Sequence, residues 1–477
     1  MILDPRACHR ALRARDARFD GRFFVGVSST KIYCRSICPA KTPNAENCTF
    51  FPNAAAAEAQ GYRPCLRCRP ELAPGNASMD AGRRLAQAAA SAMEDDAFED
   101  ESLDAIAIRL GVTARHLRRV FAEEFGVSPI AYAQTHRLLL AKRLLTDTRM
   151  TATAIAFASG FKSLRRFSAL FKERYRLRPL DLRKRRVATD DDDALTLKLS
   201  FRPPYDWDAL VGFLGARSIA GVEDVAGGVY RRTVRLQRGG RWHAGWIEVE
   251  PIPKKFALKV RASGSLAGVL PPLLGRVKHL MDLSANPGEI AGVLGDLAKS
   301  RPGLRLPGAF DGFEVAVRAV LGQQISVVAA RTLAGRFAAA FGTPIETPFA
   351  SLNVLFPTAG DIAVRSVDQV ASLGIVGSRA RTIIALADAV ASGSLALAPG
   401  ADVAATLDAL RALPGVGEWT AQYIAMRAMA WPDAFPHTDL GIIKALPNVA
   451  KKEILAAGEA WRPWRSYATM HLWQSLT

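Results

Sequence analysis

Apolar residues recur at helical spacing in residues 80–186, and they do so in two similar halves. Gly111-Val112-Thr113 forms a turn in the first half, with Thr113 as the cap of the next helix, and Ser159-Gly160-Phe161 is its counterpart in the second half. The pattern predicts an all-helical domain built from two helix-turn-helix units. In the first half, the apolar positions lie three to four residues apart or at near-heptad spacing, at Leu103, Ile106, Leu110, Leu117, Val120 and Phe121.

The second helix of each predicted unit carries arginines, Arg115 and Arg118 in the first and Arg165 and Arg166 in the second. A helix-turn-helix places its second helix in the major groove, where such side chains meet phosphates and base edges. The alternative is a helical bundle with solvated arginines. The repeated turn favours DNA binding.

Residues 194–286 show the alternation of apolar and polar positions that is typical of strands. The charge block Arg183–Asp193 precedes them, has no apolar period and is interpreted as a linker. A helix is expected around Trp207–Arg217, so this region is predicted to be a small α/β domain. The strand candidates are Leu195–Phe201, Tyr230–Leu236, Trp246–Val249 and Phe256–Val260.

Residues 287–477 are organised around Leu413-Pro414-Gly415-Val416-Gly417, a turn that ends one helix and begins the next. Gly415 and Gly417 let the backbone take positive φ and approach a partner closely. The amides at the start of the following helix then form a phosphate site. Asp439 lies further along, after a proline that interrupts any helix there.

Composition favours a polyanionic partner, because 63 Lys and Arg against 45 Asp and Glu give a net charge of +18. A cationic face on a small-molecule enzyme is the alternative.

The length of 477 residues predicts several domains. No amino-terminal targeting pattern is present, and arginines interrupt the apolar run Ala316–Phe341. We therefore expect a cytoplasmic protein that has no membrane segment.

All six cysteines precede residue 69, which argues for a local site in a cytosolic chain and against a disulfide framework. Cys34 and Cys38 form one close pair, and Cys65 and Cys68 form a second. Two such pairs separated by a loop are what a tetrahedral Zn²⁺ requires. A pair of buried structural thiols is the alternative. Two cysteines, Cys8 and Cys48, are interpreted as spare thiols.

Residues 1–75 resemble the amino-terminal domain of the bacterial adaptive-response protein Ada, through Phe24–Val27, Thr30–Arg35 and Tyr62–Pro70. The resemblance implies one zinc ion held by the four paired cysteines. It also implies that Cys34 irreversibly accepts a methyl group from a methylphosphotriester in DNA. Methylation of one thiolate halves the net negative charge of the site, so DNA affinity should rise. The expected phosphate contacts are Arg35, Arg63, Arg67 and Arg69.

Two further resemblances cover most of the remaining chain. Ile155–Arg183 is similar to the signature of AraC-type regulators, within the domain at 80–186. Residues 194–286 and 287–477 resemble the two domains of AlkA-type alkylbase glycosylases, which carry a helix–hairpin–helix. The quoted matches include Arg301–Gly308, Ala319–Ser326 and Trp461–Tyr467. These resemblances imply base flipping and the release of 3-methyladenine and 7-methylguanine from duplex DNA.

In the AlkA-type resemblance, Asp439 stabilises the developing positive charge on the sugar and orients or deprotonates water. The alternative is that Asp439 only caps a helix. Trp419, Tyr423 and Trp473 match aromatic pocket positions, with core packing as the alternative, and aromatic faces attract cationic bases. Trp419 also occupies the position of the lyase Lys, which implies a monofunctional enzyme that uses water.

Gln323 and Gln324 are assigned to substrate binding, and Gln324 stands where the family inserts an apolar wedge. A monovalent cation at the hairpin is a further expectation.

The sequence therefore predicts a multidomain, mainly α protein. It comprises a small Cys₄ zinc domain, an AraC-type double helix-turn-helix, a TBP-like α/β domain and an all-α helix–hairpin–helix domain. We expect a monomer that repairs alkylated duplex DNA, binds promoter DNA and contacts RNA polymerase. The first alternative is a transcription regulator whose glycosylase half only binds DNA. A zinc-stabilised RNA-binding protein is the weaker alternative.

Overall fold

The computed structural model describes residues 4–74, 85–86, 88–90, 93, 103–148, 150–185 and 194–476. Most of the predicted linker, at residues 186–193, lies outside the described residues, as does the boundary between the first two predicted domains. Within the part of the chain that the structure describes, no helix is both long and apolar enough to cross a membrane.

The amino-terminal domain is a four-stranded sheet flanked by two helices. The strands pair in the order β3-β1-β2-β4, and only the β2–β4 pair is parallel. This arrangement places the first cysteine pair at the end of β2 and the second directly after β4. The elements are α1 (Pro5–Ala14), β1 (Phe24–Val27), β2 (Ile32–Arg35), β3 (Cys48–Phe51), α2 (Ala54–Ala59) and β4 (Arg63–Pro64).

The two helix-turn-helix units are present as predicted, joined by one long helix. Four of the helices begin at a Ser or Thr whose side chain accepts a backbone N–H, at Thr113, Ser128, Thr151 and Ser163. The predicted apolar positions, including Ile106, Leu117 and Phe121, form the core of the first unit. The helices are α3 (Leu103–Arg109), α4 (Ala114–Phe125), α5 (Pro129–Asp147), α6 (Ala152–Ala158) and α7 (Leu164–Tyr175).

The zinc domain packs on the helix-turn-helix domain through buried polar groups. The Glu58 carboxylate accepts hydrogen bonds from Tyr33 at 2.9 Å, Thr135 at 2.9 Å and Tyr175 at 3.2 Å. Burial raises the pKa of Glu58 to about 7, although the three hydroxyl donors oppose that rise. Close by, Lys142 pairs with Glu71 at 2.7 Å. These contacts join the strand that carries Cys34 to the long helix α5 and to the end of α7.

The α/β domain contains a five-stranded antiparallel sheet in the order β5-β9-β8-β7-β6. All four predicted strands overlap strands of the structure, and the expected helix is α8. The edge strand β6 was not predicted. The elements are β5 (Leu195–Ser200), α8 (Trp207–Ala216), β6 (Glu223–Ala226), β7 (Val229–Arg238), β8 (Arg241–Pro251) and β9 (Ala257–Ala262).

The carboxyl-terminal domain is helical apart from one short strand pair, and its core is continuous with that of the α/β domain. Its principal helices surround α12 and α18, and they carry the residues that the sequence assigns to the glycosylase site. The elements are α9 (Leu270–Leu280), α10 (Pro287–Leu294), α11 (Asp296–Lys299), α12 (Gly312–Leu321), α13 (Val327–Phe341), β10 (Thr343–Pro344), β11 (Val354–Leu355), α14 (Ala359–Ala363), α15 (Val367–Ala371), α16 (Gly377–Ala391), α17 (Val403–Ala412), α18 (Glu418–Ala428), α19 (Leu440–Ala445), α20 (Ile454–Ala457) and α21 (Arg465–Gln474).

Candidate active site and zinc centre

The hairpin between α17 and α18 is fixed by one glycine and by contacts from its neighbours. Gly415 has φ +80°, and a Cβ there would lie 2.3 Å from Thr382 Oγ1. That hydroxyl donates to the Pro414 carbonyl at 2.7 Å. Gly417 is the N-cap of α18 with φ −91° and has open space where a Cβ would point. The expected positive φ is therefore correct for Gly415 and wrong for Gly417, whose extended backbone requires no glycine.

The Asp439 carboxylate accepts four hydrogen bonds. Oδ1 accepts from the backbone N–H of Gly441 at 2.8 Å, from that of Ile442 at 3.2 Å and from Trp473 Nε1 at 2.8 Å. Oδ2 accepts from Trp419 Nε1 at 2.7 Å. Asp439 is thus the N-cap of α19, as the helix-cap alternative held. A helix cap does not need the two indole donors, Trp419 and Trp473. These two groups hold the carboxylate between the aromatic side chains that were predicted to form the pocket.

The aromatic rings beside Asp439 form one cluster. Trp419 stacks on Tyr423 with centroids 5.3 Å apart and an interplanar angle of 18°. Tyr423 faces Trp473 at 6.3 Å, and Trp473 in turn lies parallel to Phe213 at 6.3 Å. Phe213 belongs to α8 of the α/β domain, so the cluster crosses the domain boundary.

Guanidinium groups line the far side of this cluster. Arg217 lies 3.8 Å from the Phe213 ring centroid, and Arg427 lies 5.0 Å from it. Arg427 Nη1 also donates to Tyr423 Oη at 2.8 Å. Burial raises the pKa of Tyr423, but the positive charges of Arg427, Arg217 and Arg318 outweigh burial, so the pKa lies below its usual value.

Gln323 and Gln324 follow α12 and have different roles. Gln323 Nε2 donates to the Gly415 carbonyl at 2.9 Å and to Thr420 Oγ1 at 3.0 Å. The amide nitrogen of Gln323 is therefore committed to the hairpin, and a role of Gln323 in substrate binding stays a prediction. Gln324 is exposed in the turn before α13 and has φ +54°.

The four paired cysteines converge as the sequence predicts. The Sγ atoms of Cys34, Cys38, Cys65 and Cys68 all lie within 4.8 Å of one another, and all four residues are buried. The backbone N–H of Arg35 donates to Cys68 Sγ, and that of Arg67 donates to Cys65 Sγ, each at 3.4 Å. Four close thiols with amide donors match the ligand set of a structural zinc site.

Two of the four arginines expected to contact phosphate are committed within the protein. Arg35 is buried and pairs through its guanidinium with the buried Asp20, which would otherwise lack a counter-charge. Arg69 binds Asp147 at 2.7 Å and Glu71 at 2.9 Å, and so joins the zinc domain to α5. Arg67 is exposed and Arg63 is half-buried, so these two remain available at the surface.

The recognition-helix arginines are all exposed. Arg115 and Arg118 lie on α4, and Arg165 and Arg166 lie in the first turn of α7. Each helix is held by its buried face, through Leu117 and Phe121 in α4 and through Phe167 and Phe171 in α7. The arginines therefore lie on solvent-facing sides of the helices, as a role in the major groove requires.

Four family models match successive parts of the chain: "Metal binding domain of Ada" at residues 7–71, "Helix-turn-helix domain" at 106–185, "AlkA N-terminal domain" at 196–311 and "HhH-GPD superfamily base excision DNA repair protein" at 317–452. A protein of Mycobacterium tuberculosis named "Probable bifunctional transcriptional activator/DNA repair enzyme AlkA" is 38% identical over 99% of this chain and 97% of its own length. The chain belongs to the family of bifunctional transcriptional activator/DNA repair enzymes that this relative represents.

Other relatives of this activator/repair family member each match only one part of the chain. The "DNA-3-methyladenine glycosylase 2" of Escherichia coli is 36% identical and covers 58% of this chain, with 95% of its own length aligned. The "Bifunctional transcriptional activator/DNA repair enzyme Ada" of the same organism is 33% identical over 32% of this chain and 41% of its own length. The resemblances seen in the sequence and the mainly α multidomain fold are confirmed, and the cysteine cluster is a zinc site of the Ada type.

Three contributors to the site were missed by sequence reasoning. Thr382 anchors the hairpin from α16, Phe213 extends the aromatic cluster from α8, and Arg427 binds Tyr423 from one turn further along α18. Only Arg427 had a detectable signal, because it follows Trp419 and Tyr423 at successive four-residue steps and so shares their helix face.

The hairpin geometry predicts opposite outcomes for its two glycines. Gly415→Ala should lower the free energy of unfolding by about 1–3 kcal/mol, because the new Cβ has positive φ and meets Thr382 Oγ1. Gly417→Ala, the matched control, should change it by less than about 0.5 kcal/mol. Urea unfolding curves measure both. Equal destabilisation by the two substitutions would contradict this description of the hairpin.

The zinc site predicts that Cys65→Ala loses bound zinc and destabilises the amino-terminal domain, because such sites supply folding energy. Cys48→Ala is the control: Cys48 lies outside the cluster, its Sγ 3.2 Å from the Asn44 carbonyl, and this variant should keep one zinc. Metal content can be measured by plasma mass spectrometry. Full zinc occupancy in Cys65→Ala would refute the ligand assignment.

Proposed function

We propose that the chain excises alkylated purines, including 3-methyladenine and 7-methylguanine, from duplex DNA by hydrolysis. The observation that carries this proposal is the Asp439 carboxylate, held by two indole N–H groups within an aromatic cluster beside the hairpin. A module that only binds DNA has no use for a fixed carboxylate facing a polyanion. The full-length alignment with an activator/repair enzyme supports the same assignment.

In the proposed reaction each part is assigned to one group. The amides at the start of α18, after Gly417, can receive a DNA phosphate. Gln324 projects where the flipped nucleotide leaves a gap, and the rings of Trp419, Tyr423 and Trp473 receive the base. As the N-glycosidic bond breaks, positive charge grows on the sugar, and Asp439 stabilises that charge and accepts a proton from the attacking water. Trp419 at the lyase position leaves water as the nucleophile.

We propose further that Cys34 accepts a methyl group from a methylphosphotriester. Cys34, Cys38, Cys65 and Cys68 would hold a zinc ion, which would keep their thiols deprotonated at neutral pH. The Cys34 sulfur then attacks the methyl carbon, the carbon–oxygen bond breaks, and the phosphodiester leaves with the bonding electrons. Cys34 lies on β2, which also carries Tyr33, so the acceptor strand is tied to α5 and α7 through Glu58. This link supports coupling of methyl transfer to promoter binding.

Several finer expectations stay predictions of the resemblance: contact with RNA polymerase, a monomeric state and location at the nucleoid. A monovalent cation at the hairpin stays a prediction as well. The carbonyl oxygens of Pro414 and Gly415 accept hydrogen bonds from Thr382 and Gln323, and a carbonyl oxygen has a second lone pair for such an ion.

Asp439→Asn should lower the single-turnover rate of 7-methylguanine release by about 10²–10³, because one preorganised electrostatic group is lost. The new amide also turns an N–H towards Trp419 Nε1, so the indole loses its acceptor. Asp402→Asn is the matched control, because Asp402 caps α17 in the same way and lies outside the cluster. Undiminished release by Asp439→Asn would refute the catalytic role and favour the binding-module alternative.

Incubation with methylphosphotriester DNA should add one methyl group to Cys34, and peptide mass spectrometry locates it. Cys34→Ser should accept none, whereas Cys48→Ala should be methylated as the wild type is. The methylated protein should bind promoter DNA more tightly, because the site loses one negative charge. A methyl group on Cys38, or none on any cysteine, would overturn the assignment.

A further inference from the structure

Two buried carboxyl groups lie where the zinc domain packs on the helix-turn-helix domain, and they have different partners. Glu71 is bound by two positive groups, Lys142 at 2.7 Å and Arg69 at 2.9 Å. Burial raises the pKa of Glu71, but those two charges outweigh burial, so the pKa lies below its usual value. Glu58, on α2, has three hydroxyl groups as its hydrogen-bond donors in the described part of the chain. A buried carboxylate without a bound cation is costly, so Glu58 should respond to pH where Glu71 does not.

The three donors to Glu58 come from one element of the zinc domain and two of the helix-turn-helix domain. Tyr33 lies on β2 beside Cys34, Thr135 lies on α5, and Tyr175 ends α7. Burial and the neighbouring carboxylates raise the pKa of both tyrosines, so their hydroxyls keep their hydrogens at neutral pH. A hydroxyl group can donate to a carboxylate or accept from a carboxylic acid. The cluster can therefore satisfy Glu58 in either protonation state.

The surroundings of Glu58 do not hold it ionised. Burial has the largest effect and raises its pKa from the usual 4.5 to about 7, against the three hydroxyl donors and then the positive charge of Arg174 on α7. Glu71 adds a negative charge that acts on both tyrosines. The elements that pack against α2 carry further titratable groups: Cys48 on β3, Arg63 on β4, and Tyr132, His136, Arg137, Lys142, Arg143 and Asp147 on α5.

We propose that Glu58 is a proton-sensitive joint between the two domains. Protonated Glu58 holds the zinc domain on the helix-turn-helix domain, and loss of that proton near neutral pH loosens the contact. Because β2 carries Cys34 and α7 carries Arg165 and Arg166, the joint lies between the predicted methyl acceptor and a predicted recognition helix. The consequence for methyl-dependent promoter binding rests on the function proposed above, whereas the proton linkage itself does not.

The direction of the pH effect follows from the raised pKa of Glu58. When the contact opens, the carboxyl group reaches water and its pKa returns towards 4.5. The packed state therefore binds the proton more tightly, and its advantage is full below pH 4.5 and is lost as the pH rises through about 7. Between pH 6 and pH 8, the equilibrium should shift by about tenfold towards the open state.

Infrared difference spectra of the full chain test the proton directly. The spectrum of wild type minus that of Glu58→Gln should contain the carbonyl band of a protonated carboxylic acid at pH 6, and most of that band should be lost at pH 8. A purely structural role would not produce a band that titrates. Absence of the band at pH 6 would overturn the proposal.

Hydrogen exchange followed by mass spectrometry tests the consequence for packing. Peptides covering residues 135–141 of α5 report the opening that separates this helix from Glu58. After correction for intrinsic exchange rates, their protection in wild type should fall about tenfold from pH 6 to pH 8. Glu58→Gln should keep protection constant within about twofold. Tyr175→Phe removes one donor to the charged form, so the fall should be larger than in wild type.

The matched control is Glu123→Gln on α4, because the exposed pair of Glu123 with Arg119 lies outside the cluster, and this variant should retain the wild-type decline. Peptides from β7, in the α/β domain, should exchange equally in wild type and Glu58→Gln. The same decline in wild type and Glu58→Gln, or no decline in wild type, would overturn the proposal. Neither measurement uses DNA or a methyl donor, so its failure is distinguishable from a failure of Cys34 to accept a methyl group.

Discussion

A negative charge placed where DNA must bind is the constraint on which the glycosylase half depends. Without partners, the Asp439 carboxylate would be repelled by a nearby phosphate backbone. Two indole N–H groups and two backbone amides hold it in place instead. In the proposed function, the two indoles that hold the carboxylate would also supply aromatic faces for a flipped base. Trp419 and Trp473 would therefore both position the carboxylate and shape the proposed pocket, so a change in the pocket would also move the carboxylate.

The position of Asp439 is linked through neighbouring residues to the hairpin and to the turn that carries Gln324. Trp419 is the second residue of α18, which follows the hairpin directly, so a shift of the hairpin would move the indole that binds Asp439. Gln323 and Thr382 fix the hairpin carbonyls from α12 and α16, and Gln323 immediately precedes the proposed wedge Gln324. The hairpin, the turn that carries Gln324 and the Asp439 carboxylate are thus joined by hydrogen bonds. The regulator half uses a comparable device, with Glu58 connecting the strand of Cys34 to two helices of the DNA-binding domain.

Much of the architecture was readable from sequence because it rests on local patterns. The spacing of the cysteine pairs, the helix caps and the alternation of the strands each reflect short-range geometry. The roles of long polar side chains were harder to predict, because exposure depends on partners distant in sequence. Arg35 is neutralised by Asp20 and Arg69 by Asp147, and neither partner was visible as such in the sequence. Likewise, Phe213 reaches the aromatic cluster from another domain, and Gln323 turns to the hairpin, so their contacts are products of the tertiary fold.

The central claim is that the Asp439 carboxylate faces the sugar of a flipped nucleotide. It is tested most directly by a crystal structure of the full chain bound to duplex DNA containing a pyrrolidine abasic-site analogue. The positively charged ring nitrogen of that analogue stands in for the sugar cation of the transition state. We predict a carboxylate oxygen of Asp439 within hydrogen-bond distance of that nitrogen, with both indole contacts retained. An analogue that stays in the duplex, or one bound in the pocket away from Asp439, would contradict the account.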